Sequence, residues 1–307
     1  MQNYMFLFNE WWYVLILAGV MLISGVVKKY NLFGPLYARI INKVHNKKIL
    51  VVLISFLGGI LPIPGRVIVS AGLLDTIAPD DPSKRSKFGI IDYLATHHYY
   101  CWSPLEKTVL IPMAVLKLSY FGVIAYTWPL LVVSLLVLIG YILNLSSDDV
   151  TIRSVDQPAP ITEKIVKPWY MMINWNTLIL VMVVIIVGNF IKEYGVNLKG
   201  YVETVARDVN GYFTFLFASL LAFFASFVMG SSGKFAGMTA LLTSIFGLSY
   251  FTYIFALEFA GYLLSPCHKC VAIGMSYFHT PMKAYYKVIL IWSALLVLTG
   301  LGCLLIK

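Results

Sequence analysis

Charged side chains are scarce in this sequence of 307 residues, since Asp, Glu, Lys and Arg make up only 12% of it. Soluble domains carry about 25% charged residues. Hydrophobic residues make up 60% of the chain and the mean hydropathy is +0.82. A soluble core cannot hide so much apolar surface, because too few polar residues remain to cover it. The composition therefore excludes soluble, disordered and collagen-like proteins and predicts an all-α polytopic membrane protein.

Cysteines and the motifs of common enzymes are also scarce. Four cysteines do not make a secreted disulfide framework, and the chain has no phosphate-binding P-loop, nucleophile elbow or zinc-protease helix. Residues 267–270 read Cys-His-Lys-Cys, but a tetrahedral zinc site takes four ligands and no second such cluster follows. The sequence therefore predicts no enzyme, no metal and no cofactor, and leaves a redox role for Cys267 and Cys270 open.

Four stretches are long and apolar enough to cross a bilayer, which takes about 20 residues: 4–27, 126–145, 171–191 and 288–306. The first ten residues contain a Glu and neither Lys nor Arg, so we expect the first stretch to remain a membrane helix rather than a cleaved signal. Two further apolar stretches, 49–74 and 212–246, are interrupted by Pro62-Ile63-Pro64-Gly65-Arg66 and Gly230-Ser231-Ser232-Gly233-Lys234. The arms of the first are too short to cross a bilayer, and we predict a re-entrant helical hairpin in each stretch.

Two longer stretches, 90–120 and 250–278, are interrupted at Ser103-Pro104 and Ser265-Pro266. Proline removes a helix hydrogen bond, so each stretch is predicted to be a broken helix. The Ser-Pro pairs are 162 positions apart and the glycines of the hairpin tips 168 apart. This order predicts two repeats, residues 1–146 and 168–307, separated by a cytoplasmic linker over 147–167. Each repeat crosses three times, so the second is inverted, as in many secondary transporters.

The net charge of +9 follows this topology. With both termini outside, the segments predicted to be cytoplasmic hold fourteen Lys or Arg residues and the outside segments hold four. Cytoplasmic loops of membrane proteins are usually enriched in this way. The charge therefore predicts a multi-pass protein of the cytoplasmic membrane and gives no indication of nucleic-acid binding.

The four interruptions predict a substrate site near the bilayer midplane. Irregular backbone at membrane depth needs protein or a water-filled cavity around it, and helix N-termini attract anions. Ser103 and Ser265 are expected to cap the second half-helices, with the following proline in the first turn. Basic residues inside a membrane mark substrate or ion pathways, although each could instead snorkel to the interface. The predicted substrate-binding residues are Pro64, Gly65, Arg66, Ser103, Lys107, Ser231, Ser232, Gly233, Lys234, Ser265 and Lys269.

Acidic and histidine side chains near the breaks are candidates for proton coupling. Glu106 and His268 occupy the same position relative to the two Ser-Pro pairs, and Glu258 lies within an apolar run. His98, next to His97, precedes the first break and has the side chain best suited to a proton relay near neutral pH. Each of these residues could equally be a structural partner, so both readings stay open.

Two segments of the sequence carry a resemblance to known proteins. The first is Leu57-Gly58-Gly59-Ile60-Leu61-Pro62-Ile63-Pro64-Gly65, with Ser70-Ala71, and the second is Phe259-Ala260-Gly261-Tyr262-Leu263-Leu264-Ser265-Pro266-Cys267-His268, with Cys270 and Tyr277-Phe278. Both resemble an uncharacterised membrane branch of the ion-transporter superfamily. Other members carry dicarboxylates, citrate, gluconate or arsenite, or exchange sodium for protons. The resemblance implies two inverted repeats with hairpin tips at the substrate, and a homodimer with an elevator-like movement. The sequence lacks the Ser-Asn-Thr motifs of the dicarboxylate carriers.

The leading hypothesis is a secondary active transporter, a permease or antiporter, for a small anionic solute, with H⁺ or Na⁺ as the coupling ion. The alternative is a flippase or intramembrane phosphatase acting on a polyprenyl or lipid phosphate, for which Glu106 beside Ser103 would be the only catalytic candidate. A channel is a weaker third hypothesis, because nothing in the sequence indicates a ring of pore residues.

Overall fold

The structure is a computed structural model that describes residues 34–60, 66–151 and 211–306, with isolated positions between 11 and 26 and between 175 and 187. Regular structure in these residues is entirely helical. The predicted spans 4–27 and 171–191 and the linker beyond residue 151 lie largely outside the described residues. So do Pro64 and Gly65 of the first predicted hairpin tip.

The first half of the chain contains six described α-helices. A 3₁₀ turn at His98–Cys101 follows the fourth of them, and a second one, Ser147–Asp149, comes after the sixth. The helices are α1 (Gly34–Lys43), α2 (Lys47–Ile60), α3 (Arg66–Asp75), α4 (Pro82–His97), α5 (Lys107–Leu116) and α6 (Tyr120–Leu143).

The second half contains five described α-helices. A 3₁₀ turn at Leu248–Tyr250 precedes the third of them. The helices are α7 (Gly211–Met229), α8 (Ser232–Phe246), α9 (Phe251–Leu264), α10 (Lys269–Phe278) and α11 (Met282–Leu305).

Two pairs of helices, one member in each half of the chain, have equal lengths. α5 and α10 are both 10 residues long, and each is followed by a residue with positive φ, Lys117 at 55° and His279 at 54°. α6 and α11 follow them and are both 24 residues long. The first residues of α5 and α10, and those of α6 and α11, are 162 positions apart, the same spacing as the Ser-Pro pairs.

Two described helices, α6 and α11, are long and apolar enough to cross a membrane. The helical segment Leu248–Leu264 and α10, bent by 45° at the break between them, meet the same criterion as a pair. The architecture is consistent with a helical membrane protein. The helices predicted at 126–145 and 288–306 are confirmed, although each begins six residues earlier, at Tyr120 and at Met282.

The helices that lead into the Ser-Pro breaks form the centre of the molecule. Every residue of α9 from Phe251 to Leu263 is buried, as is every residue of α4 from Phe88 to His97. α9 packs against α7 and α11, and α4 packs against α10. Across that contact, a Cβ on Gly274 would lie 3.6 Å from the carbonyl oxygen of Gly89. Small residues of this kind let membrane helices approach closely.

Three lysines from two helices, α2 and α4, converge on the turn after α6. Lys48 Nζ donates to the carbonyl of Leu143 at 2.6 Å, and Lys47 Nζ donates to that of Ser147 at 3.0 Å. Lys87 Nζ forms an ion pair with Asp149 at 2.8 Å. Cations are favourable at a helix C-terminus because they complement the helix dipole. The starts of α2 and α4 and the end of α6 therefore lie at one end of the molecule.

Candidate functional site

The two Ser-Pro breaks have the same local geometry. Ser103 Oγ accepts a hydrogen bond from the amide of Leu105 at 3.4 Å, and Ser265 Oγ accepts one from the amide of Cys267 at 3.2 Å. Both serines are buried. The predicted interruptions are thus present. Each serine hydroxyl accepts its hydrogen bond within the turn and not from the helix that follows.

The predicted capping role of the serines is wrong. The second half-helices begin at Lys107 and Lys269, four residues after each serine, and their N-cap residues are Glu106 and His268. Neither N-cap makes a side-chain capping bond. Pro104 and Pro266 lie in the turns and not in the second half-helices. Ser103 and Ser265, which precede them, adopt non-helical backbone, as residues before proline commonly do.

The interruption between α7 and α8 lies directly on the second Ser-Pro break. Gly230 has φ +53°, a conformation that favours glycine. A Cβ at this position would lie 2.8 Å from Ser265 Oγ, 2.9 Å from the carbonyl carbon of Cys267 and 3.0 Å from the amide nitrogen of His268. The tip that was predicted to approach the substrate site is therefore in contact with one broken helix.

α8 also packs against α5, the half-helix after the first break. Ala236 and Ala240 of α8 pack in one apolar cluster with Leu110, Ile111 and Ala114 of α5. Of the predicted site residues on this tip, Gly233 is buried, Ser231 and Ser232 are half-buried and Lys234 is exposed. The interruption between α7 and α8 thus brings the surroundings of both Ser-Pro breaks together.

The predicted basic residues lie at or near helix N-termini. Lys107 and Lys269 are the first residues of α5 and α10; Lys107 is half-buried and Lys269 exposed. Lys234 lies in the first turn of α8, and Arg66 begins α3, with its side chain outside the described residues. Convergence of these four side chains on one anion therefore remains a prediction.

The four predicted proton-coupling residues are all buried. Glu258 in the middle of α9 accepts a hydrogen bond from the hydroxyl of Ser226 on α7. Trp102 Nε1 donates to His98 Nδ1 at 3.2 Å. Glu106 and His268 are the two N-caps already described. Asp92 of α4 is also fully buried and lies beside Ser70. The sequence-based prediction did not include this carboxylate, although its position within an apolar run could have indicated that it is buried.

A histidine cluster joins the two broken helices. The Nε2 atoms of His97, at the end of α4, and His268 lie 3.3 Å apart. His97 Nδ1 lies 2.7 Å from the carbonyl oxygen of Tyr93. The hydroxyl of Tyr93 lies 3.0 Å from His268 Nδ1 and donates to the carbonyl of Leu263 at 2.9 Å. One donor atom each from His97, His268 and Cys270 lie within 4.8 Å of one another.

Tyrosine rings enclose this cluster. The ring of Tyr93 stacks on His97 with centroids 3.9 Å apart, and the ring of Tyr262 lies 4.1 Å from that of His268. Tyr100 and Tyr262 hydrogen-bond to each other through their hydroxyls. The sequence reasoning did not connect His97 with His268, because a separation of 171 positions carries no local signal.

Residues 5–153 of the chain are similar to a family described as "Protein of unknown function (DUF401)". The matched segment covers the first half of the chain, including α1 to α6 and the first Ser-Pro break. Searches of the curated proteins and of the solved structures found no match.

Proposed function

We propose that the protein is a secondary active transporter for a small anionic solute. The observation that carries this proposal is the pair of interrupted helices, whose second halves each begin with a lysine after an irregular turn. In transporters, the N-termini of such discontinuous helices point at anionic groups of the substrate. The free amide groups and the positive dipole end supply the attraction there.

The substrate would sit between the two Ser-Pro turns and the tip at Gly230. The contact of Gly230 with Ser265 and the packing of α8 on α5 support this position. Lys107, Lys234, Lys269 and Arg66 would supply positive charge from four helix starts. Hydroxyls of Ser231 and Ser232, which are half-buried, would supply hydrogen bonds.

The architecture that we propose is a pair of inverted repeats, each with a re-entrant hairpin. The equal lengths of α5 and α10 and of α6 and α11, at one constant spacing, support the repeat. The packing of α2 on α3 and of α7 on α8 supports a hairpin in each half. Together with the resemblance to the ion-transporter superfamily, this favours alternating access in a homodimer.

A cytoplasmic-membrane location with both termini outside follows from the same proposal. The end of the molecule that gathers Lys47, Lys48 and Lys87 around the turn after α6 would face the cytoplasm. The enrichment of lysine in cytoplasmic loops supports this orientation. Buried carboxylates inside membrane proteins mark ion or proton pathways, and Glu258 is our candidate for the coupling residue.

Transport by purified protein in proteoliposomes tests the proposal. Candidate anions are first selected by thermal shift, because a ligand that binds the folded state raises the melting temperature with its concentration. We expect Arg66→Ala and Lys234→Ala each to abolish uptake of the selected anion. Lys283→Ala, an exposed lysine in the first turn of α11, is the matched control and should transport normally.

Two results would contradict this function. Normal uptake by both Arg66→Ala and Lys234→Ala would show that these two basic residues do not belong to the substrate site. Release of phosphate from a polyprenyl pyrophosphate in the same vesicles would instead identify an intramembrane phosphatase. Melting curves of each variant in detergent separate loss of transport from loss of folding.

A further inference from the structure

We propose that His97, His268 and Cys270 bind a transition-metal ion of the Zn²⁺ type, deep in the molecule where the two broken helices meet. This inference goes beyond the proposed transport and does not depend on it. Its basis is the convergence of two imidazoles and one thiol from separate parts of the chain, with donor atoms within 4.8 Å of one another.

Hydrogen bonds determine which nitrogen of each imidazole is available. A carbonyl oxygen can only accept, so the contact of 2.7 Å with the Tyr93 carbonyl places the proton of neutral His97 on Nδ1. Tyr93 donates its single hydroxyl proton to the Leu263 carbonyl. In the tautomer in which its oxygen accepts from His268 Nδ1, Nε2 of both histidines can act as a metal ligand.

The two Nε2 atoms face each other across 3.3 Å, a distance that either a shared proton or a bound cation can bridge. Two zinc–nitrogen bonds of about 2.0–2.1 Å at the tetrahedral angle place their nitrogens roughly 3.3–3.4 Å apart. The separation of the Nε2 atoms of His97 and His268 matches this value. The two imidazoles thus already have the spacing that a bound ion would impose, and the donor atom of Cys270 lies within 4.8 Å of them.

The surroundings of the cluster have the features of a metal site. Ligating histidines usually donate their other ring N–H to an oxygen, which fixes the ring, and Nδ1 of both His97 and His268 lies within 3.0 Å of an oxygen of Tyr93. These two histidines are only 1% and 3% exposed. A thiolate together with imidazoles favours Zn²⁺ or Cu⁺ over Mg²⁺ or Ca²⁺. Three protein donors leave a fourth position for water or another ligand.

Co²⁺ titration of the metal-free protein in detergent provides the test. Co²⁺ takes the same tetrahedral site as Zn²⁺ and gives visible absorption, with a charge-transfer band when a thiolate is bound. We expect one Co²⁺ per chain, a thiolate band, and displacement by Zn²⁺. Cys270→Ser should lose the band, while Cys267→Ser, an exposed cysteine three residues earlier, should keep it.

Replacement of either histidine by Gln should weaken Zn²⁺ binding more than 10-fold, because loss even of a residue that only hydrogen-bonds to a ligand costs about 10–100-fold. Should the histidine variants not fold, the paired cysteine variants decide the question by themselves. Absence of stoichiometric Co²⁺ binding, or an unchanged spectrum in Cys270→Ser, would overturn the proposal and indicate that a proton alone joins the two histidines. Because the readout is spectroscopic and uses no transported solute, failure here leaves the transport proposal standing, and the reverse also holds.

Discussion

The hydroxyl oxygens of Tyr100 and Tyr262 lie 2.9 Å apart in the buried centre of the molecule, although the two residues are 162 positions apart. Each tyrosine precedes its Ser-Pro turn by three residues, so the two have the same position relative to the two Ser-Pro pairs. Direct contact between such residues is what the inverted repeat that we propose would produce at its two-fold axis. The pair lies where the ends of α4 and α9 meet.

We expect Tyr262→Phe and Tyr100→Phe each to lower the free energy of unfolding by about 1–3 kcal/mol, since either change leaves the other buried hydroxyl without this partner. The double variant should lose less than the sum of the two single losses. Denaturant unfolding in detergent measures all three values. Strict additivity would show that the two hydroxyls do not interact.

Gly230→Ala should destabilise the protein by roughly 1–3 kcal/mol, because the new Cβ would meet Ser265 and His268 in a backbone conformation that alanine disfavours. Gly140→Ala in α6 is the matched control, since a Cβ there meets nothing within 4 Å. In a helix interior this control should be neutral or stabilising by about 0.5–1 kcal/mol. Melting temperatures of the two variants, and uptake by each, distinguish a local clash from a general effect of the added methyl group.

The ion pair of Lys87 and Asp149 should make stability depend on pH below neutrality. Burial raises the pKa of the Asp149 carboxyl, but hydrogen bonds from Lys87 and Ser146 outweigh burial and hold the pKa below its usual value. A lowered pKa in the folded state means that the stabilisation is complete above the unfolded-state pKa of about 4. It is lost as the pH falls through the folded-state pKa.

Asp149→Asn should therefore cost about 1–2 kcal/mol at pH 7, a value reduced by the partial exposure of Lys87. The difference from the wild type should shrink as the pH falls below 4. The neighbouring variant Asp148→Asn, with an exposed side chain, should match the wild type at every pH. A cost that stays constant from pH 7 to pH 3 would contradict the role of the charge.

Glu258→Gln should uncouple transport from the proton gradient while the anion still binds. Glutamine keeps the volume and can still accept a hydrogen bond from Ser226, but it cannot exchange a proton. We expect loss of uptake driven by a pH gradient and an unchanged thermal shift with the anion. Ser226→Ala, which removes only the hydrogen bond, should retain coupled uptake. Gradient-driven uptake at the wild-type rate in Glu258→Gln would exclude this residue as the proton carrier.

Local features of the sequence predicted the helices and their interruptions well. Proline and hydropathy are short-range signals, so the breaks at Ser103 and Ser265 and the helices α6 and α11 could be placed within about six residues. The stretches predicted at 90–120 and 250–278 also end within four residues of α5 and α10. The positive φ of Lys117 and His279, which follow these helices, was not predicted, because neither residue is glycine.

The candidate site was less predictable, because it depends on contacts between distant segments. The Cys-His-Lys-Cys segment was dismissed for want of further ligands, and the missing partner, His97, belongs to the other half of the chain. The predicted capping role of Ser103 and Ser265 was wrong for a geometric reason. Three residues separate each serine from its half-helix, so each hydroxyl bonds within the turn instead.

The hydroxyl of Tyr93 bonds to both Leu263 and His268, one on each side of the second break. These two hydrogen bonds connect α4 to the end of α9 and to the start of α10. In the alternating motion that we propose, these three helices would move together. Bending would fall at the outer joints, among which the positive-φ residue His279 connects α10 to the long helix α11.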